Sequence, residues 1–240
     1  MDLNIQDPRR RIAVTRLLPE PLMDRLRSSY ISWVNPEDRT LSSDELRRAA
    51  AALAADVLLV MAMDRLDAAA IGNLPPTIRI IATLSVGHDQ IDLDAARGRG
   101  IAVLHTPDVL SDAVAEMAML LLLGAARRAH EGSALLYGGH WGGWSPTQLL
   151  GAIVVNIARG DLVDDEALVA ALRPGRVAAA GLDVFNNEPG IHEGYKTLPN
   201  VFLQPHQGSS TMGARVRMGE LLLDSIERLL AGAAVPNRIA

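Results

Sequence analysis

From Ala55 to Ala62 the chain reads ADVLLVMA, and every residue after Asp56 is apolar. A short run of this kind is a strand buried on both faces, which requires a sheet with helices packed above and below it. The neighbouring segments agree. RIAVTRLL (Arg11–Leu18), YISWVN (Tyr30–Asn35), IRIIATLS (Ile78–Ser85) and IAVLHT (Ile101–Thr106) read as further strands. Helical stretches separate them: one opened by Pro19 to Pro21, one over Ser42–Ala54, a short one near Asp67–Leu74, and DLDAARGRG from Asp92. The run Ser42-Ser43-Asp44-Glu45 has capping-box spacing and marks a helix start. Strand and helix in regular alternation imply a parallel α/β sheet with right-handed crossovers.

Pro107 breaks the pattern before a long helix expected over Ser111–Ala134. YGGHWGGWSPTQLLG, ending at Gly151, is rich in glycine and aromatic residues and reads as a loop. Alternation then resumes: strand AIVVNI, helix DDEALVAALR, strand VAAAGLDVF, an irregular stretch with Asn, Pro and Gly, strand NVFLQPH, and an amphipathic helix over Thr211–Leu230. No internal repeat or low-complexity segment is evident.

The 240 residues suffice for one large or two small domains, and an apolar share of 49% gives ample core. A net charge of −5, with no block of five like charges, argues against nucleic acid or anionic membrane as a partner. Cysteine is absent, which excludes disulfides, thiolate metal sites and a Cys nucleophile. The first thirty residues have no apolar core of a secretory signal. The most apolar run, Ala113–Ala126, is too short to span a bilayer and contains Glu116. A cytoplasmic location is expected.

No G-x-G-x-x-G and no G-x-x-x-x-G-K-[ST] occurs, so neither phosphate cradle is present as written. The six histidines lack paired metal-ligand spacing, and no metal site is expected. Ligands of open α/β sheets bind outside the carboxyl ends of the strands. Arg159 follows AIVVNI, Glu188 lies just past VAAAGLDVF, and His206 ends NVFLQPH. These three complementary side chains could converge. Spacing alone also permits separate roles: Arg159 as a helix cap or carbonyl contact, Glu188 as an exposed turn carboxylate, His206 as a satisfied loop histidine.

VVNIARGDLVDDEALVAAL, AAGLDVFNNEP and LPNVFLQPHQGSST closely resemble the signature blocks of the D-isomer-specific 2-hydroxyacid dehydrogenases. LSVGHDQIDLDAARGRGIAVLHTPDVLSDAVAEMAMLLLL resembles their substrate loop and interdomain helix, and GGHWGGWSPTQLLG resembles the glyoxylate/hydroxypyruvate reductase (D-glycerate dehydrogenase) branch. Members carry a glycine-rich βαβ region between the LLG loop and the VVNxxRG strand. Here the two ends abut at about Gly151, so a block of roughly 90 residues, about three βαβ units, is missing from the pattern. The missing block would hold the pyrophosphate loop and the residue that selects NAD or NADP.

The resemblance implies a flavodoxin-like substrate domain over 1–104 and 208–240. It implies a Rossmann-type nucleotide domain over 105–207, incomplete here. The implied reaction is reversible hydride transfer between NADP or NAD and a small 2-oxo acid. Arg159 would hold the carboxylate and polarise the carbonyl, because a guanidinium stays charged and presents a planar fork. His206 would be the acid for reduction and the base for oxidation. Glu188 beside it would favour the imidazolium, the direction that reduction requires. Val86 and Gly87 would offer backbone N–H groups to the substrate. Trp144 would reach the pocket of a partner subunit in a homodimer built on the long helix and the glycine-tryptophan loop. Ala158, Arg159, Asp183, His206 and Gly208 would line the cofactor.

Trp141, Tyr30, Tyr137 and His105 read as packing or structural residues. Gln207 departs from the apolar residue more usual at its position. Glu188 disfavours formate oxidation, since relatives with that activity lack the carboxylate. Two rivals remain: a non-catalytic regulator on the same scaffold, and a truncated form unable to bind cofactor.

Overall fold

The computed structural model of the protein describes residues 9–141 and 151–240. The chain divides into two units, one formed by Met1–Leu110 with Met212–Ala240 and the other by Ser111–Thr211.

The first unit is a five-stranded parallel sheet of β1 (Arg11–Val14), β2 (Ile31–Val34), β3 (Val57–Met61), β4 (Ile80–Leu84) and β5 (Ala102–Leu104), in the order β2-β1-β3-β4-β5. This is the flavodoxin-like order. β3 and β4 pair Val57 with Ile80 through Met61 with Leu84, and every residue of both strands is buried. Alternation along the pleat sends those residues to two separate cores. Val57, Leu59 and Met61 face α1 (Glu20–Ser29) and α9 (Met212–Leu230), meeting Leu22, Leu26, Leu222 and Ile226. Leu58 and Val60 face α2 (Ser43–Leu53), α3 (Ala68–Gly72) and α4 (Leu93–Gly98), meeting Leu46, Ile71 and Ala96. Each fully buried leucine contributes roughly 1.5–3 kcal/mol. The α1 and α9 helices approach closely because Gly219 has no side chain: a Cβ there would lie 2.1 Å from a methyl of Leu22.

The second unit holds a three-stranded parallel sheet of β6 (Ile153–Asn156), β7 (Ala179–Leu182) and β8 (Val201–Leu203), in that order. One face is covered by α5 (Ser111–Ala126). There Gly181 admits the helix backbone so closely that a Cβ would sit 2.7 Å from the Leu121 carbonyl oxygen. The other face packs against α7 (Asp165–Leu172) and α8 (Glu193–Lys196) through Leu168, Val169, Leu172 and Tyr195.

The single long helix expected over Ser111–Ala134 is two helices, α5 and α6 (Ala129–Tyr137). The break falls at Arg128, whose φ of 54° is left-handed and cannot continue an α-helix. The stretch expected to be irregular contains α8, capped by the His192 side chain accepting from the Gly194 N–H. β8 stops at Leu203, so His206 lies beyond the strand rather than at its last residue. Tyr30 is buried, as expected, whereas Tyr137 and Trp141 are exposed. Both follow the helix break in a segment that packs on no core cluster of the described residues.

Candidate active site

The three strands of the second unit end in register. Asn156 pairs with Leu182, and Leu182 with Leu203, so one row crosses the sheet. The ladder continues for one residue, with Asp183 N–H donating to Asn156 O and Gln204 N–H to Leu182 O. Arg159 and His206 each lie three residues past that row, and Glu188 lies six past it. A parallel sheet thereby delivers all three to its carboxyl edge.

Each turn is built by a polar side chain. Asn156 is buried; its amide donates to the Arg159 carbonyl at 2.7 Å, and its oxygen accepts the Ala158 N–H at 3.1 Å. The Arg159 guanidinium donates to the Ala158 carbonyl at 2.7 Å. Asp183, also buried, accepts the N–H groups of Gln207 and Gly208 at 2.7 and 2.8 Å and so shapes the turn around His206. His206 has φ 53°, and Glu188 precedes a cis proline.

The decisive contact is between Glu188 and His206. Glu188 Oε2 accepts from His206 Nδ1 at 2.6 Å, while Oε1 accepts the Phe185 N–H at 2.9 Å. With Nδ1–H committed to the carboxylate, Nε2 is the ring nitrogen through which a proton can pass. Both side chains are partly exposed, at 44% and 34%, so a small ligand can reach them. The turn that carries Arg159 packs beside the turn that carries Glu188. Gly160 lies so close to the backbone of Phe185 and Asn186 that a Cβ would be 2.0 Å from the Phe185 carbonyl carbon. The turn carrying Arg159 and the turn carrying Glu188 are thus in direct contact.

In the first unit, Val86 and Gly87 follow β4. The Val86 carbonyl accepts from His105 Nδ1 at 2.9 Å, and the His105 ring meets that of His88 edge-on at 5.9 Å. His105, expected only to pack, therefore ties down the Val86–Gly87 turn. Trp144 lies outside the described residues. The Gln207 side chain is exposed. No group of three metal-binding side chains occurs among the described residues.

These observations accord with comparison to known proteins. Residues 12–240 match the profile of the D-isomer specific 2-hydroxyacid dehydrogenase catalytic domain. The chain belongs to the D-isomer specific 2-hydroxyacid dehydrogenase family. It is 33% identical to a glycerate dehydrogenase of Hyphomicrobium methylovorum, over 97% of this chain and 99% of that one. It is 30% identical to a glyoxylate reductase of Thermococcus gammatolerans, over 95% of each. A crystal structure of a D-isomer specific 2-hydroxyacid dehydrogenase, NAD-binding, from Polaromonas sp. JS6 66 superposes with a TM-score of 0.89 at 34% identity, covering 97% of this chain and 100% of that one. Members of the family are NAD(P)-dependent oxidoreductases. The first alignment runs over 322 positions against 240 residues here, so at least 82 positions (322 less 240) face no residue of this dehydrogenase chain.

The nucleotide of such a dehydrogenase has two ends to hold, and this chain treats them differently. Ala158, Arg159, Asp183, His206 and Gly208, expected at the cofactor from the resemblance, all lie past the carboxyl ends of β6–β8. A pyrophosphate needs free N–H groups at a helix start after a glycine turn. The start of α7 is instead capped by the Asp164 carboxylate, with Asp165 and Glu166 in its first turn, which repels phosphate. α8 has only four residues. Neither α7 nor α8 fits the pyrophosphate end.

Proposed function

We propose that the protein interconverts small 2-oxo acids of the glyoxylate or hydroxypyruvate type and the corresponding D-2-hydroxy acids. NADH or NADPH is the hydride source. The 2.6 Å contact between Glu188 and His206 carries this reading. A nicotinamide held along Ala158, Arg159, Asp183, His206 and Gly208 would supply the hydride chemistry for the interconversion of oxo and hydroxy acid. The chain's own residues do the rest. His206 gives its Nε2 proton to the carbonyl oxygen as the C–O double bond opens, and recovers it from the hydroxyl in the reverse direction. Glu188 accepts from Nδ1–H throughout, which fixes the ring and leaves Nε2 as the nitrogen that faces the substrate oxygen. Arg159 draws the carboxylate and the carbonyl oxygen by charge. Val86 and Gly87 are assigned to the substrate carboxylate, with His105 holding their turn.

Trp144 is assigned to the substrate pocket of a partner subunit, the protein acting as a cytoplasmic homodimer. The substrate domain corresponds to the first unit and the nucleotide domain to the second. No helix among the described residues is long and apolar enough to cross a membrane.

The test is oxidation of NADH and NADPH, followed at the nicotinamide absorbance, with glyoxylate and with hydroxypyruvate. If neither acid drives oxidation and neither nucleotide binds, the reading fails. His206→Gln separates an enzyme from a regulator: an enzyme loses turnover, while a regulator keeps partner binding.

A second reading is favoured by the acidic start of α7 and by the alignment positions, at least 82, that face no residue of this chain. On this reading the 240-residue chain keeps the acid–base half of the site and lacks the pyrophosphate half. Intact mass of the protein from its source decides it, since 25.7 kDa corresponds to the chain as written.

A further inference from the structure

The turn that presents Glu188 is not self-supporting. It bends back within four residues of β7, puts Asn187 at a left-handed φ of 61°, and is closed by the contact of Glu188 Oε1 with the Phe185 N–H. Asparagine accepts that conformation more readily than most non-glycine residues, so the turn's position is set by what it touches. Those surroundings are specific. The Asn186 amide donates to the Val163 carbonyl at 3.1 Å and to Asp165 Oδ2 at 3.0 Å. The other oxygen of Asp165 accepts from the Tyr195 hydroxyl at 2.8 Å. Tyr195 is 1% exposed and packs with Leu168, Val169 and Leu172.

We propose that Tyr195, acting through Asp165 and Asn186, is a positioning residue that holds Glu188 against His206. This rests on reading Glu188 and His206 as the acid–base pair. Phenylalanine would fill the same space in the core, so packing does not account for the hydroxyl. A buried phenol is instead placed where its O–H has a definite partner. Gly160 completes the clamp by letting the two turns touch without a side chain between them. Other charged groups surround the network. Asp164 caps the same helix, and Glu166 pairs with His192 at 3.0 Å. The His192 ring meets Tyr195 edge-on at 5.7 Å. Asp183 holds the His206 turn by backbone contacts. None of them replaces the Tyr195 hydroxyl on Asp165 Oδ1.

The experiment uses the full chain, ligand-free and labelled with ¹⁵N-histidine. The Nδ1–H proton of His206 is identified by its absence in His206→Gln, and its exchange with water is measured. Tyr195→Phe and Asn186→Ala should each speed that exchange about threefold or more while the protein melts cooperatively as before. Glu188→Ala should abolish the protection. If both test variants fold and exchange at the wild-type rate while Glu188→Ala removes protection, the positioning role is wrong and the pair stands. If Glu188→Ala changes nothing, the pair itself fails and the proposal falls with it. Should Tyr195→Phe not fold, Asn186→Ala, a half-buried position outside the core, decides alone.

Discussion

His206 can pass a proton only through Nε2, because Nδ1 is engaged by Glu188. His206→Gln keeps a polar side chain in the turn but removes proton transfer. Turnover in reduction should fall about 10²–10⁴-fold, with the KM for the acid changing far less. Steady-state kinetics in both directions check this, and equal losses in KM alone would contradict it. Gly160 offers a stability test next to the site. Its Cβ would meet backbone rather than a flexible side chain, so Gly160→Ala should cost about 1–3 kcal/mol in urea denaturation. An unchanged midpoint would show that the two turns can separate freely. The places of Arg159, Glu188 and His206 just past apolar strands were legible in the sequence, but spacing left separate roles open for each and only the family resemblance joined them. Asn156, Asp165, Asn186 and Tyr195 were not legible, since their partners lie in other turns and spacing says nothing about a hydrogen bond across a fold. One signal for Asn156 was present: a lone amide near the end of the otherwise apolar run AIVVNI.

At the scale of elements, local chemistry decided what could be read in advance. Ser42 accepts the Glu45 N–H, and the Glu45 side chain accepts the Ser42 N–H, so the predicted capping box at α2 is present. The Arg39 guanidinium, helped by the Ser42 N–H and hydroxyl, holds the Glu45 carboxyl well below the usual carboxylate range. A depressed folded-state value means that the ionised form favours the folded state. Its contribution is complete above the unfolded value, about 4.3, and is lost as pH falls through the folded value. Amide exchange in α2 should therefore be slower in the wild type than in Glu45→Gln near neutral pH. The two should converge in acid. A difference that persists unchanged in strong acid would assign the protection to something other than the carboxylate. Strand cores and caps are local and were legible. The split of the long helix was not: Arg128, the residue at the break, has no helix-breaking chemistry of its own.

For the whole molecule, the alternation of strands and helices foretold parallel α/β structure and the family resemblance its division in two, but neither gave the exposure of each helix residue. α5 turns Leu121, Gly124 and Ala125 inward, yet Met119, Leu120, Leu122 and Leu123 are 54%, 47%, 38% and 56% exposed. Leu135 and Leu136 of α6 add to the apolar surface, being exposed as well. A helix apolar all round is ordinarily covered on every side, and a soluble chain seldom leaves a contiguous patch of this kind in water. Closed two-fold pairing of identical chains is the commonest way to cover such a face. The protein should therefore sediment as a dimer at micromolar concentration. Leu120→Glu with Leu123→Glu should convert it to a monomer, because each carboxylate would have to be desolvated without a partner in the interface. Circular dichroism should stay unchanged, since both positions already face solvent in the single chain. A wild-type protein that sediments as a monomer, or a double variant that remains dimeric, would place the subunit contact elsewhere or remove it.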